Sequence, residues 1–242
     1  MLRPVPAKLY VVHGSHPCMT VARAMELKGV PYKRVELPEL GHIPHQKLRF
    51  GGTTVPAVRF EDGTKEIGSR KLMRLLDERV PEPPLVPSDP DRRARVLELE
   101  EWGDEFQMVP RRLIFWGLMR NRDAFASYTE GSRWRMPVAL QRAVGPAVAK
   151  RVLGVHKGDD EAVRGHLDSL REDLDRIRQA MDEGVLGGDP PNAADLQIAP
   201  SVRLLMTLED VSPMIEERGL GDWARGLFPE YGGRMPAGTY SV

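Results

Sequence analysis

The 242 residues carry 35 basic and 35 acidic side chains, so the formal net charge is zero and no overall field would gather nucleic acid or anionic lipid non-specifically. A single cysteine, Cys18, excludes an internal disulfide and fits a reducing compartment, and no apolar run approaches the roughly 18 residues of a membrane span. Residues Met1 to Pro6 lack the apolar core of a secretory signal; the expected setting is the cytoplasm, with a small-molecule or protein partner rather than nucleic acid or a membrane.

In chain order, Lys8 to Val12 alternates as a strand, and the pattern turns helical between Met19 and Gly29. His13-Gly14-Ser15-His16-Pro17-Cys18 lies between them, so a hydroxyl and a thiol stand where a helix begins. The first backbone N–H groups of a helix have no partner within it and form its positive end, which stabilises a thiolate of the protein or of a bound thiol. Such a site draws a cysteine below its usual pKa of about 8.5. Ser15 and Cys18, spaced as S-x-x-C, are therefore the candidate catalytic pair. Gly29-Val30-Pro31 ends the helix, and Tyr32 to Leu37 reads as a second strand, parallel to the first through a right-handed crossover.

Residues 38–54 contain Pro38, Pro44, Gly41, Gly51 and Gly52 without a sustained period, and read as a loop with at most one short helical turn. Val55 to Phe60 and Thr64 to Ile67 flank an Asp62-Gly63 turn as an antiparallel hairpin. A helix follows, N-capped by Ser69, with Leu72, Met73, Leu75, Leu76 and Val80 on its apolar face. The proline-rich stretch 81–90 reads as an extended linker, dividing a domain over 7–80 from an all-helical one over 91–242.

Beyond the linker, Asp91 to Met119 is a helix kinked or split at Pro110, and 125–154, interrupted by Pro137, Gly145 and Pro146, is expected to hold one or two short helices. Asp160 to Glu183 has an apolar residue every three or four positions and is a long helix. Asn192 caps the next, answered by Asp195 in the manner of a capping box, and a last helix spans Ser212 to Leu227.

This order, βαβ, loop, ββα, proline linker, helices, resembles the cytosolic glutathione S-transferase superfamily from about Lys8 to about Leu227. Four separated motifs carry the resemblance. Leu9 to Cys18 is similar to the serine-type, theta-like strand-turn-helix. Thr54-Val55-Pro56-Ala57 resembles the thioredoxin-fold segment with a cis proline. Gly68-Ser69 stands at the start of the third helix, and Pro191 to Leu196 resembles the N-capping motif of the helical domain. The resemblance implies a thioredoxin-like α/β domain followed by a helical bundle, and a homodimeric detoxifying transferase with glutathione as co-substrate and no metal. If the peptide before Pro56 is cis, Val55 is free to pair with an extended peptide such as glutathione. Ser69, at a helix N-terminus, would take the γ-glutamyl carboxylate, and Lys47 or Arg49 the glycyl carboxylate. Ser15 would donate to the thiol sulfur and favour the thiolate. The electrophile would lie against Trp102, Phe106, Arg112 and Trp116.

The family usually has Glu or Asp where this chain has Gly68, so a thiol other than glutathione stays open. Two rivals stand beside the transferase: thiol-disulfide exchange or dehalogenation through Cys18, and a non-catalytic binding module on the same fold. Ser15 as a mere helix cap and Cys18 as a buried apolar filler are the structural alternatives at those two positions. The pairs His13/His16 and His42/His45 lack the spacing and cysteine partners of a zinc site.

Overall fold

The strand that organises the first part of the chain is β1 (Ala7–Val12), buried at every position except Lys8, which is half-exposed. In the computed structural model, which describes residues 6–240, it is flanked on both sides. On one side lies β2 (Tyr32–Leu37), parallel, from Ala7 opposite Tyr32 to Val12 opposite Leu37. On the other lies β3 (Ala57–Arg59), antiparallel, with Tyr10 opposite Ala57, and β3 in turn pairs antiparallel with β4 (Lys65–Ile67). The order β2-β1-β3-β4 is the thioredoxin-like mixed sheet expected from the crossover and the hairpin.

Helix α1 (His16–Leu27) begins three residues before the periodic apolar pattern does and takes Cys18 into its first turn. Pro17 is tolerated there because the first helical N–H groups are unpaired in any case. Its inner face, Val21, Ala24 and Met25, is fully buried. Residues 42–50, expected as loop, form a nine-residue helix, α2 (His42–Phe50). Pro44 is its third residue, again in the turn that needs no N–H, and Gly51 ends it in the left-handed conformation at φ 74°. Tyr10 of β1 meets His45 and Phe50 of α2 at ring distances of 5.3 and 5.2 Å. Helix α3 (Ser69–Arg79) buries Leu72, Met73 and Leu76. Its N-cap is Gly68, not Ser69, because residue 68 has φ 96°, a conformation that side chains disfavour.

The proline-rich segment after α3 is fastened rather than slack. The fully buried ammonium of Lys28, at the end of α1, donates to the carbonyls of Val80 at 2.7 Å and Pro83 at 2.5 Å and pairs with Asp77 at 2.5 Å. Asp77 in turn accepts from the N–H groups of Leu85 and Val86 at 2.9 and 3.1 Å. Both apolar residues are buried.

Helix α4 (Pro90–Phe106) contains the point at which the chain separates into two compact units. The first runs to Glu101 and includes Gly188–Gln197, so residues 81–90 lie within it; the second holds Trp102–Gly187 and the chain from Ile198 onward. Helix α5 (Met108–Arg120) follows a break at Gln107, with Pro110 in its first turn. After α6 (Ala124–Tyr128) comes α7 (Val138–Val155), one 18-residue helix where short pieces were expected. Its buried positions Gln141, Gly145, Ala149, Val152 and Leu153 are mostly small, which weakens the apolar period in the sequence. A Cβ at Gly145 would stand 3.0 Å from the Phe125 ring, so the glycine permits the close approach of α6. Helix α8 (Asp160–Asp182) is capped by Asp159, which accepts from the Ala162 N–H at 2.8 Å.

Helix α9 (Ala193–Leu205) opens with the expected capping box. Asn192 Oδ1 accepts from the N–H groups of Ala194 and Asp195, and buried Asp195 returns a carboxylate oxygen to the Asn192 N–H at 2.9 Å. The expected last helix is two, α10 (Ser212–Glu216) and α11 (Leu220–Leu227), divided at Gly219, whose φ of 65° interrupts the helical run.

Candidate functional site

The sheet directions bring three of the predicted segments to one end. β1 runs toward Ser15; β3 is antiparallel to it, so the segment before β3, Val55-Pro56, lies at the same end. β4 is antiparallel to β3, so it too finishes there, at Gly68-Ser69. A hydrogen bond from the Gly68 N–H to the Pro56 carbonyl, 2.9 Å, ties two of the segments directly. The N-termini of α1 and α3 therefore both open toward this end, which favours negative charge.

Ser15 is half-buried and occupies the N-cap position of α1 in extended conformation, but its side chain makes no capping hydrogen bond. Its backbone carbonyl takes the Cys18 and Met19 N–H groups at 3.0 and 3.2 Å, so the hydroxyl is not consumed in starting the helix. Cys18 is only 4% exposed and lies inside the helix's first turn. The Val55–Pro56 peptide is cis, and among the described residues the Val55 backbone makes no hydrogen bond. Thr54 is exposed, and its carbonyl is held by the side-chain amide of Gln46 at 2.9 Å. Ser69 is 5% exposed, the first residue of α3. A Cβ at Gly68 would meet nothing within 4 Å, so the usual acid is missing beside open space. Lys47 and Arg49 are exposed on the last turn of α2.

Gln46 is a residue that sequence reasoning missed. It is fully buried and links α2 to the turn that presents Val55. Its only signal is its place between His45 and Phe50 on the inner side of a helix that the prolines and glycines disguised.

The residues expected against the electrophile lie in the second unit. Trp102 stacks on Phe106 at 4.9 Å, with the Arg176 guanidinium 4.6 Å from its ring centre. Trp116 donates its indole N–H to Asp160 at 2.7 Å and lies under Arg120. Arg112 donates to the His156 carbonyl at 3.0 Å and to His166 Nε2 at 2.9 Å; since arginine can only donate, that imidazole nitrogen is unprotonated. Burial first, then Arg111 and Arg112, push the His156 imidazole down to about 4, and burial with Arg112 lowers His166 as well. Unfolded histidine titrates near 6.5, so below that pH the unfolded chain gains protons that the folded one refuses. Stability is then complete above pH 6.5 and falls as pH drops toward about 4. Thermal melts of His156→Gln/His166→Gln should lose that part of the acid slope; an unchanged slope would assign it to carboxylates alone.

Among the described residues, no three His, Cys, Asp or Glu side chains gather in a group able to hold a metal ion.

The whole chain resembles solved transferases in fold. Glutathione transferase F7 from Populus trichocarpa superposes with a TM-score of 0.64 at 17% identity, covering 93% of this chain and 94% of that one. A glutathione S-transferase from Methylobacterium radiotolerans, in complex with glutathione sulfonate, gives 0.56 at 18%, covering 98% and 100%. The sequence profile of the glutathione S-transferase N-terminal domain matches residues 9–84. The N-terminal part of the chain is thus similar to the glutathione S-transferase N-terminal domain, and the chain has the glutathione S-transferase fold. The chain is also similar to the maleylacetoacetate isomerase of Pseudomonas aeruginosa, 33% identical over 101 residues. That alignment spans 36% of this chain and 44% of the isomerase.

Proposed function

We propose that this glutathione S-transferase homologue binds glutathione, or a small thiol built like it, at the convergent end of the sheet and transfers it to an electrophilic small molecule. The observation that carries the reading is the Ser15 hydroxyl, which stands at the start of α1 without a capping bond. The Val55 N–H and carbonyl pair with the cysteinyl unit of the thiol, Ser69 and the first N–H groups of α3 take its γ-glutamyl carboxylate, and Lys47 takes the glycyl carboxylate. Ser15 Oγ donates to the sulfur, the thiol proton leaves to solvent, and the thiolate forms the new carbon–sulfur bond as the electrophile's leaving group or π electrons depart. The enzyme would work in the cytoplasm as a homodimer.

The match to maleylacetoacetate isomerase favours a second reading, in which the thiolate adds to a carbon–carbon double bond and is expelled again after rotation. Thiol would be consumed with product in the first case and regenerated in the second. Disulfide chemistry through Cys18 is disfavoured by the burial of its sulfur.

Calorimetric titration with glutathione tests the site. Saturable binding is expected, weakened roughly tenfold or more in Ser69→Ala by loss of a charge-assisted hydrogen bond. No binding up to millimolar glutathione would sink glutathione as the thiol, and the open space at Gly68 would then point to a thiol without its amino-acid end.

A further inference from the structure

The zero net charge of the chain conceals a local excess. Between Gly131 and Gly158 there are six cations, Arg133, Arg135, Arg142, Lys150, Arg151 and Lys157, and no Asp or Glu. The same stretch holds four of the five large apolar side chains that are exposed among the described residues. These are Trp134 at 51%, Val138 at 39%, Leu140 at 46% and Val155 at 56%; the fifth, Leu48, is elsewhere. Apolar surface and positive charge therefore coincide in one place.

Helix geometry sorts them. At about 100° per residue, Leu140, Ala143, Ala147, Gly154 and Val155 fall on one outer stripe of α7, with Arg151 among them and Lys150 at its border. All of these positions are exposed, whereas Gln141, Gly145, Ala149 and Val152 on the opposite side are buried. Just before the helix, Trp134 stands on a built turn. Its own N–H bonds Ser132 Oγ at 3.1 Å, and the Ser132 N–H bonds the Thr129 carbonyl at 3.1 Å. Buried Gln141 accepts from the Thr129 hydroxyl at 2.8 Å and donates to the Met136 carbonyl at 2.5 Å. The loop is thus fixed at both ends while its indole faces outward. Of the bordering acids, Asp123 pairs with Arg142 at 2.7 Å and Asp160 with Arg120 at 2.9 Å, while Asp159 and Glu161 lie beside Lys150 at the far end of α7, so the excess of positive charge is greatest at the Trp134 turn.

We propose that the Trp134 turn and the outer stripe of α7 seat this protein on an anionic lipid bilayer. Charge complementarity selects the partner: basic residues gain about 1 kcal/mol each near an anionic leaflet. The apolar groups separate lipid from nucleic acid, since phosphates would satisfy the cations yet leave Leu140 and Val155 in water. An indole flanked by Arg133 and Arg135 is the side-chain set that anchors at headgroup depth. No helix among the described residues is long and apolar enough to cross a membrane, so the association is peripheral.

Vesicle flotation of the whole chain tests this, with phosphatidylcholine alone and with phosphatidylcholine plus phosphatidylglycerol. Binding is expected only to the anionic vesicles, reversible by salt, and roughly 30-fold weaker in Arg133→Gln/Arg135→Gln. Tryptophan emission should shift to the blue on binding, and that shift should vanish in Trp134→Phe. Unchanged melting temperatures keep the variants informative. Absence of binding to anionic vesicles at low salt would overturn the proposal, as would binding indifferent to both variants. Displacement of the vesicles by duplex DNA at equal charge would assign the patch to nucleic acid instead, and a dimer abolished by Leu140→Asp would assign it to a second copy of the chain.

Discussion

Ser15→Ala is expected to lower kcat for thiol transfer by about 10²–10³, the usual cost of removing one preorganised donor from a developing or standing negative charge. The effect should show in the pH profile before it shows in affinity. With Ser15 present, the bound thiol should ionise below the value of about 8.5 that an ordinary thiol has, so the rate should reach its plateau at lower pH. Without it, only the N-terminus of α1 remains to favour the thiolate, and the profile should move toward that of the free thiol while KM for the thiol changes little. Ser15→Thr, which keeps the hydroxyl, should recover part of the rate. Stopped-flow measurement of thiolate absorbance against pH checks the shift directly; identical profiles in wild type and Ser15→Ala would remove Ser15 from the mechanism.

Cys18→Ala provides the contrast. The thiol is buried within the first turn of α1, so its loss should leave transfer essentially unchanged and cost some stability as a small cavity. A variant that kept its melting temperature but lost its activity would restore the disulfide reading.

What could be read from the sequence was what local periodicity and turn chemistry encode. The parallel pairing of β1 with β2 follows from two alternating runs and a crossover of the right length, and the capping box at Asn192 and Asp195 needs only four consecutive residues. Helix α2 was hidden because Pro44, Gly41 and Gly51 are read as breakers, although Pro44 sits in the first turn and Gly51 just past the end, where each is harmless. Helix α7 was hidden for the opposite reason: its buried face is built from Gly145 and Ala149, which carry almost no hydrophobic signal. At the site, Ser15, Val55 and Ser69 could be named from motifs, because each depends on a strand end or a helix start. Gln46 could not, since its role is a single bond to the Thr54 carbonyl that exists only once α2 has formed. The cluster of cations and exposed apolar side chains over 133–157 escaped because a chain-wide sum of charges erases a local excess.

Lys28→Met is expected to destabilise the first unit by about 3–5 kcal/mol, the range for breaking a buried ion pair by removing one member. The lysine side chain is fully buried and Asp77 is one-fifth exposed, and loss of the ammonium leaves that carboxylate and two carbonyls without their common partner. Methionine replaces its volume but none of its bonds, leaving the Val80 and Pro83 carbonyls without their donor and Asp77 with only the Leu85 and Val86 amides. Prolines contribute no N–H, so residues 81–84 have little hydrogen bonding of their own with which to fix their path; the lysine supplies it from outside. The melting temperature should fall by several degrees per kcal/mol lost in a chain of this size, roughly 6–20 °C in all. Asp77→Asn alone should cost less, because its amide still offers an oxygen to the chain and the ammonium keeps its carbonyls. In the double variant the two losses should sum to more than is observed, since both act through one contact. Strict additivity in that cycle would mean that Lys28 and Asp77 hold the 80–86 segment independently, and the segment's path would then have to be set by the burial of Leu85 and Val86 alone.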